Sequence, residues 1–239
     1  MSTRVKDPGR DPDDPVDQPL DRRSTRWDDH RDQRRGELVL AAVAAIDRNG
    51  PTASIAEMAR AAGVSKPVLY RYFADKGDLY RAVGRWGAAE VLRVLRPALS
   101  GDAPIRERVD QGSRAYIALI AEHPHVFLLL VGHRTSDDPL ADGKDMITAA
   151  FARTMGDALR SIGADAAAAE PWSHGVVGLG LAIGEWWLQR RTMSQAAVSR
   201  YLSSFVWHSF SGMAADHGVS LDEPGLRLVG RPDREAPDA

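Results

Sequence analysis

Residues 54–79 read SIAEMARAAGVSKPVLYRYFADKGDL, and the order of helix starts and stops in this stretch decides the fold. Ser54 is a good N-cap. Its hydroxyl can take a backbone N–H of the first turn, and Glu57, three residues on, can reach back to the Ser54 N–H as a capping box. Ile55, Met58, Ala59 and Ala62 then fall at helical spacing as one apolar stripe, while Glu57, Arg60 and Ala61 face outward. Gly63 ends the helix because glycine alone enters the left-handed region without steric cost. Val64 plugs the turn, Ser65 offers its hydroxyl to the N–H groups of a second helix, and the first turn of that helix tolerates Pro67. Two short helices around a tight glycine turn make a helix-turn-helix.

In such a unit the second helix enters a DNA major groove with its N-terminal residues against base edges and phosphates. Lys66 and Arg71 supply cations for phosphate or guanine, Tyr70 and Tyr72 supply phenol hydroxyls, and Val68 supplies methyl groups for thymine. Asp75 can cap the next helix with Asp78 at its third position, so Lys76 sits at a helix start where dipole and ammonium together favour a phosphate. The expected DNA-contacting set is Ser54, Ser65, Lys66, Pro67, Val68, Tyr70, Arg71, Tyr72 and Lys76. Leu69 and Phe73 are read as core. The competing reading of the same stretch is a helical hairpin whose aromatic residues simply fill a core, with Tyr70 and Tyr72 the most ambiguous members.

The pattern A-x-x-A-G-V-S-x-x-x-L-Y-x-Y-F-x-x-K-x-x-L, from Ala59 to Leu79, resembles the signature of the TetR family of bacterial one-component regulators. It covers roughly a quarter of the chain by usual domain proportions. Pro67 stands where many members carry glycine, and Gly77 where an acidic residue is common. The resemblance implies an all-α protein of about nine helices. A three-helix DNA-binding head is followed by a helical body that binds a small hydrophobic effector and pairs with a second copy through its last two helices. It also implies a repressor released from its operator when the effector binds. The alternatives are an activator without a small-molecule effector and a helical protein-interaction module.

Working outward, the segment 1–30 mixes Asp, Arg and Pro with few apolar residues and is expected to be a disordered tail. Its arginines, Arg22, Arg23 and Arg26, continue into Arg31, Arg34 and Arg35 and suit a DNA-contacting arm, although Asp28, Asp29 and Asp32 partly cancel them. Residues 31–80 form the head, 81–217 the body and 218–239 a flexible tail. The first helix carries Leu38, Ala41, Ala42, Ala45 and Ile46 before an Asn49-Gly50-Pro51 stop, and the fourth runs from Lys76 to Leu95, ending before Pro97. Further helices are expected over Ile105–Glu122, Pro124–Gly132, Leu140–Ile162, Ala166–Arg190 and Ser194–Ala215.

Two stripes, Val176, Leu179, Ile183 and Trp186, and Val198, Leu202, Phe205 and Met213, are too apolar for a solvated surface and support a homodimer. Gly180 and Gly184, with Gly175 and Gly178 nearby, would let helix backbones approach closely. Composition offers Phe127, Phe151, Met155, Trp172, Trp187 and Phe210 as effector-pocket lining, with His174, Glu185 or Arg190 as polar anchors.

The 239-residue length suffices for one or two domains, and the formal net charge of −2 leaves a basic head and an acidic body compatible. With no cysteine, disulfides, thiol catalysis and thiolate metal sites are excluded, which fits a cytoplasmic protein. The start of the chain lacks the apolar stretch of a signal peptide, and the runs Val126–Val131 and Val176–Ile183 are too short to span a bilayer. No nucleophile elbow, zincin motif or phosphate loop is present, so no catalytic residues and no cofactor are expected. His123, His125 and His133 have no carboxylate at ligand spacing and predict no metal site. Gly178-Leu-Gly180 lies mid-helix, outside the strand context a dinucleotide fingerprint requires.

Overall fold

The computed structural model describes residues 22–132, 138, 141–161, 163, 165–216, 218–221 and 227–228. They fall into two units, one ending at Gly36 and one beginning at Glu37. Among the described residues there are nine α-helices. They are α1 (Arg22–Asn49), α2 (Ile55–Ala61), α3 (Lys66–Leu69), α4 (Lys76–Ser100), α5 (Ile105–Glu122), α6 (Pro124–Gly132), α7 (Ala141–Ser161), α8 (Ala169–Arg190) and α9 (Gln195–Asp216). A single 3-10 turn, Ala166–Ala168, leads into α8, and β1 (Val219–Ser220) pairs antiparallel with β2 (Arg227–Leu228).

Four boundaries depart from the sequence reading. The first helix begins at Arg22, inside the segment assigned to a disordered tail. Between Pro19 and Pro51 the chain has no proline and only Gly36 before Gly50, so nothing there interrupts a run rich in arginine, a good helix former. At the fourth helix, Pro97 does not end the run, which continues to Ser100. Proline removes one hydrogen bond, to the carbonyl four residues back, while side chains satisfy carbonyls of the last turn. The Ser100 hydroxyl donates to the Arg96 oxygen at 3.0 Å, and the Arg108 guanidinium donates to the Ala98 and Leu99 oxygens, each at 2.8 Å. The second helix of the helix-turn-helix stops at Leu69, after one turn, so Tyr70, Arg71 and Tyr72, read as part of it, lie past its end. Finally, the segment expected to be a flexible tail contributes the β1–β2 pair, and Val219 is buried. Leu140, Ile162 and His133 lie outside the described residues.

Three apolar clusters hold the larger unit together. In the first, Leu38, Ala42 and Ile46 of α1 pack on Met58 and Ala59 of α2, on Leu69 and Phe73, and on Leu79 and Val83 of α4. Val126, Leu129 and Leu130 of α6 belong to the same cluster. The stripes drawn from 3.6-residue spacing therefore face inward as expected. The second cluster joins Ile117 and Ile120 of α5 to Trp187 and Leu188 of α8 and to Val198 and Leu202 of α9. The third joins Met155 and Leu159 of α7 to Ala169.

Gly184 marks a close approach inside the chain. A Cβ there would lie 2.8 Å from Phe127 Cζ and 3.0 Å from Ile120 Cδ1, so a side chain at this position would push on both tips where α8 packs against α5 and α6. At Gly175 and Gly178 there is nothing within 4 Å of such a Cβ. Among the described residues no single helix is long and apolar enough to cross a membrane.

Candidate functional site

The turn of residues 54–79 is built by reciprocal caps. The Glu57 N–H donates to Ser54 Oγ at 3.3 Å, and the Ser54 N–H donates to Glu57 Oε2 at 2.7 Å. That backbone hydrogen bond to the carboxylate is the main reason the Glu57 carboxyl is held below its usual range. After α2, Gly63 takes φ +66, and the Gly63 and Val64 N–H groups close on the Arg60 and Ala59 oxygens. A second reciprocal cap starts α4: the Asp78 N–H donates to Asp75 Oδ1 at 2.7 Å, and the Ala74 N–H donates to Asp78 Oδ2 at 3.1 Å.

Ser65 behaves differently from Ser54. Its backbone is extended as a cap requires, but its side chain makes no capping bond. An N-cap oxygen serves the second or third N–H of a helix; Pro67 at the second position has none to give, and the N–H of Val68 at the third is not taken by Ser65. Past Leu69 the chain continues as tighter turns, with the Arg71 and Tyr72 N–H groups bonded to the Val68 and Leu69 oxygens.

This framework puts Ser54, Ser65, Lys66, Pro67, Tyr70, Arg71 and Lys76 on the surface, with Val68 and Tyr72 half-buried. Tyr70 keeps 45% of its surface exposed, whereas Leu69 and Phe73 keep 1% each. Tyr72 also packs on the first apolar cluster, so its ring is partly structural. Lys76 Nζ lies 5.1 Å from the Tyr80 ring centroid, which steadies the ammonium without covering it.

A cavity of about 320 Å³ lies among α4 to α9, with β1 at one side. Of the residues expected to line a pocket, Phe127, Phe151, Met155 and Phe210 do form its wall. Five others lie elsewhere. Trp172 packs on the third cluster. Trp187 is buried core, its indole N–H donating to the Met193 oxygen at 3.0 Å, with the Arg191 guanidinium 4.8 Å from its ring centroid. His174 and Arg190 are exposed, and Glu185 accepts from the Gln189 amide. These placements escape sequence reading because α8 is apolar nearly all round, so periodicity does not say which face looks inward.

The sequence reading also missed Tyr116, Trp86 and the wall's polar groups. Arg108 is occupied by the α4 carbonyls, and Lys144 pairs with Asp138. Trp86 meets the His123 ring edge-on at 5.1 Å. Tyr116 borders the cavity with its ring, but its hydroxyl is closed off from solvent and has no hydrogen-bond partner. Burial pushes that phenol well above its ordinary range.

The histidines of the His123-Pro124-His125 run tie α6 to the end of α1. His123 Nδ1 lies 2.6 Å from Asp47 Oδ2, and His125 Nδ1 lies 2.9 Å from the Asp47 oxygen. Their bonding is structural, and among the described residues no group of three or more His, Asp or Glu could hold a metal.

A capped two-helix turn with Lys66, Tyr70 and Arg71 exposed on and just past its second helix, mounted on a helical body, defines a helix-turn-helix DNA-binding transcriptional regulator. Comparison with known proteins agrees. Residues 38–83 match the family model described as bacterial regulatory proteins, tetR family. Residues 94–220 match the tetracyclin repressor-like C-terminal domain. An uncharacterised HTH-type transcriptional regulator of Mycobacterium tuberculosis is 31% identical over 206 residues, 85% of this chain and 88% of that protein. The HTH-type transcriptional activator FasR of Mycolicibacterium smegmatis is 29% identical over 76% of this chain and 84% of its own length. A crystal structure of a tetR-family transcriptional regulator from Streptomyces coelicolor superposes with a TM-score of 0.59 at 22% identity, covering 77% of this chain and 82% of that one. The chain belongs to the TetR family of bacterial transcriptional regulators.

Proposed function

We propose that the protein is a homodimeric repressor that holds a roughly palindromic operator and lets go when a small apolar effector fills the cavity. The observation that carries this reading is the double membership of α6. Val126 and Leu130 belong to the apolar cluster that anchors the helix-turn-helix, and the same two side chains line the cavity. Helix α4 is shared in the same way, since it starts at Lys76 on the exposed surface and its later turns form cavity wall. A ligand that moves either helix changes the seating of the head. A coupling of about 1–3 kcal/mol would alter operator affinity roughly 5- to 150-fold.

In this reading residues 31–80 act as the head and residues 81–217 as the effector-binding and dimerisation body. Ser54, Ser65, Lys66, Pro67, Val68, Tyr70, Arg71, Tyr72 and Lys76 meet the DNA, and Phe127, Phe151 and Met155 meet the effector. Trp186, Tyr201 and Phe205 support the pairing, because these large side chains on α8 and α9 are 42%, 59% and 59% exposed. Two heads related by a two-fold axis would read half-sites about 34 Å apart.

An activator is the second reading, favoured by the name of the FasR relative. Selection of bound fragments from genomic DNA, followed by gel-shift titration and a reporter assay, tests both. Repression predicts a salt-sensitive specific complex and a reporter signal that rises when the regulator is removed, and activation predicts a signal that falls. A chain that makes no specific complex with any fragment is instead a protein-interaction module.

A further inference from the structure

Among the described residues only two buried side-chain polar atoms lack a hydrogen-bond partner, Asp47 Oδ1 and Tyr116 Oη. Asp47 is already engaged through its other oxygen by His123. Tyr116 has no such engagement, and its position on the cavity wall makes the deficit informative. A buried hydroxyl left unpaired is costly, and such an exception calls for an explanation, an absent bonding partner being one.

The surroundings restrict what that partner can be. Across from the phenol lies Gly180 of α8, also part of the wall, and a Cβ built there would lie 3.6 Å from Oη. With glycine at position 180 that side of the hydroxyl carries no side chain, and a methyl there would sit in van der Waals contact with both ring and hydroxyl. Burial keeps the phenol protonated at neutral pH, so it acts as a donor. The wall's arginine and lysine are both committed, Arg108 to the Ala98 and Leu99 oxygens and Lys144 to Asp138. A charged ligand group would therefore lack a ready counter-ion inside, and burying it unpaired is costly. The rest of the wall is overwhelmingly apolar.

We infer that Tyr116 is the polar anchor of the cavity, donating a hydrogen bond beside Gly180 to the single acceptor oxygen of an otherwise apolar, uncharged ligand, such as a ketone or ester carbonyl. This rests on the cavity being the effector site proposed above. It goes further by naming the ligand chemistry and the residue that selects it.

Two neutral naphthyl probes separate the levels. Phenylnaphthylamine has no carbonyl, whereas Prodan is a ketone whose emission moves to the red when its carbonyl accepts a hydrogen bond. Both should bind the full-length protein. In Tyr116→Phe, phenylnaphthylamine affinity should stay unchanged, while the Prodan Kd should rise about 3- to 10-fold, the range of one net hydrogen bond, and its emission should move to the blue. Gly180→Ala should give the same selective loss, because its methyl shields the hydroxyl without removing it, and it serves as the comparison if Tyr116→Phe fails to fold. If wild-type protein binds neither probe, the effector-cavity reading falls and the anchor falls with it. If both probes bind, and Prodan affinity and emission are the same in wild type and variants, the assignment of Tyr116 is overturned while the cavity reading stands.

Discussion

Replacing Tyr116 by phenylalanine should make the ligand-free protein more stable, against the usual direction for a substitution on the wall of a core. The hydroxyl has neither a protein partner nor contact with solvent, so removing it deletes a desolvation cost and breaks no bond. A cost of about 1–3 kcal/mol is expected for such a group. Because the ring borders a cavity and can relax, the lower end applies, a gain of about 1 kcal/mol. For a chain of this size that raises Tm by about 2–4 °C. The pH dependence supplies a second reading of the same group. Burial raises the folded-state pKa, while tyrosine in the unfolded chain ionises near about pH 10. Above that pH the unfolded state holds fewer protons than the folded one. Stability present below it is then lost as pH rises, by up to about 1.4 kcal/mol per pH unit from this group alone. The phenylalanine variant has no such loss, so its advantage over wild type should widen in alkali. Urea unfolding followed by circular dichroism, at neutral pH and again above the tyrosine range, measures both effects. A variant that is less stable than wild type at neutral pH, with a gap that does not change in alkali, would refute the reasoning.

Other perturbations probe the remaining contacts. Ser54→Ala removes the acceptor of the Glu57 N–H and should cost about 1 kcal/mol, seen as a lower urea midpoint. Since the Glu57 carboxyl is held below its ordinary range, the support it gives the head is present above the normal glutamate pKa and lost as pH falls through the lowered one; Glu57→Gln should therefore flatten the acid limb of the unfolding profile. His123→Ala deletes the contact to Asp47 and should cost about 1–3 kcal/mol in unfolding experiments, and it should also weaken the effect of a cavity ligand on DNA affinity. Phe205→Glu places a charge on the exposed face of α9 and should give a monomer by light scattering, with loss of tight binding to a palindromic site.

The helix-turn-helix was legible where its boundaries are written in local chemistry. Ser54 and Asp75 cap helices, Gly63 takes the positive φ that ends one, and the stripe of Met58 and Ala59 is buried where its spacing puts it. Pro97 misled because the helix runs one turn past it and its last carbonyls are held by Arg108, a residue on another helix whose role only the fold reveals. Ser65 has the extended backbone of a cap but makes no side-chain cap bond, and Pro67 leaves only the N–H of Val68 for it to serve. The cavity was half legible. Phe127, Phe151, Met155 and Phe210 reach it, whereas Trp172 and Trp187 fill ordinary core, and nothing in the composition separates the two uses of an aromatic ring. Tyr116 carries no sequence signal at all. Its significance comes from the bond it fails to make.

The most direct test of the DNA-facing surface is the salt dependence of binding to a fragment selected from genomic DNA, measured for wild type and for Lys76→Ala. If Lys76 neutralises a phosphate, its removal should weaken the complex at low salt for every sequence tried and make the slope of log K against log salt shallower by about 0.9 per subunit contact. An affinity and a slope both indistinguishable from wild type would contradict the account.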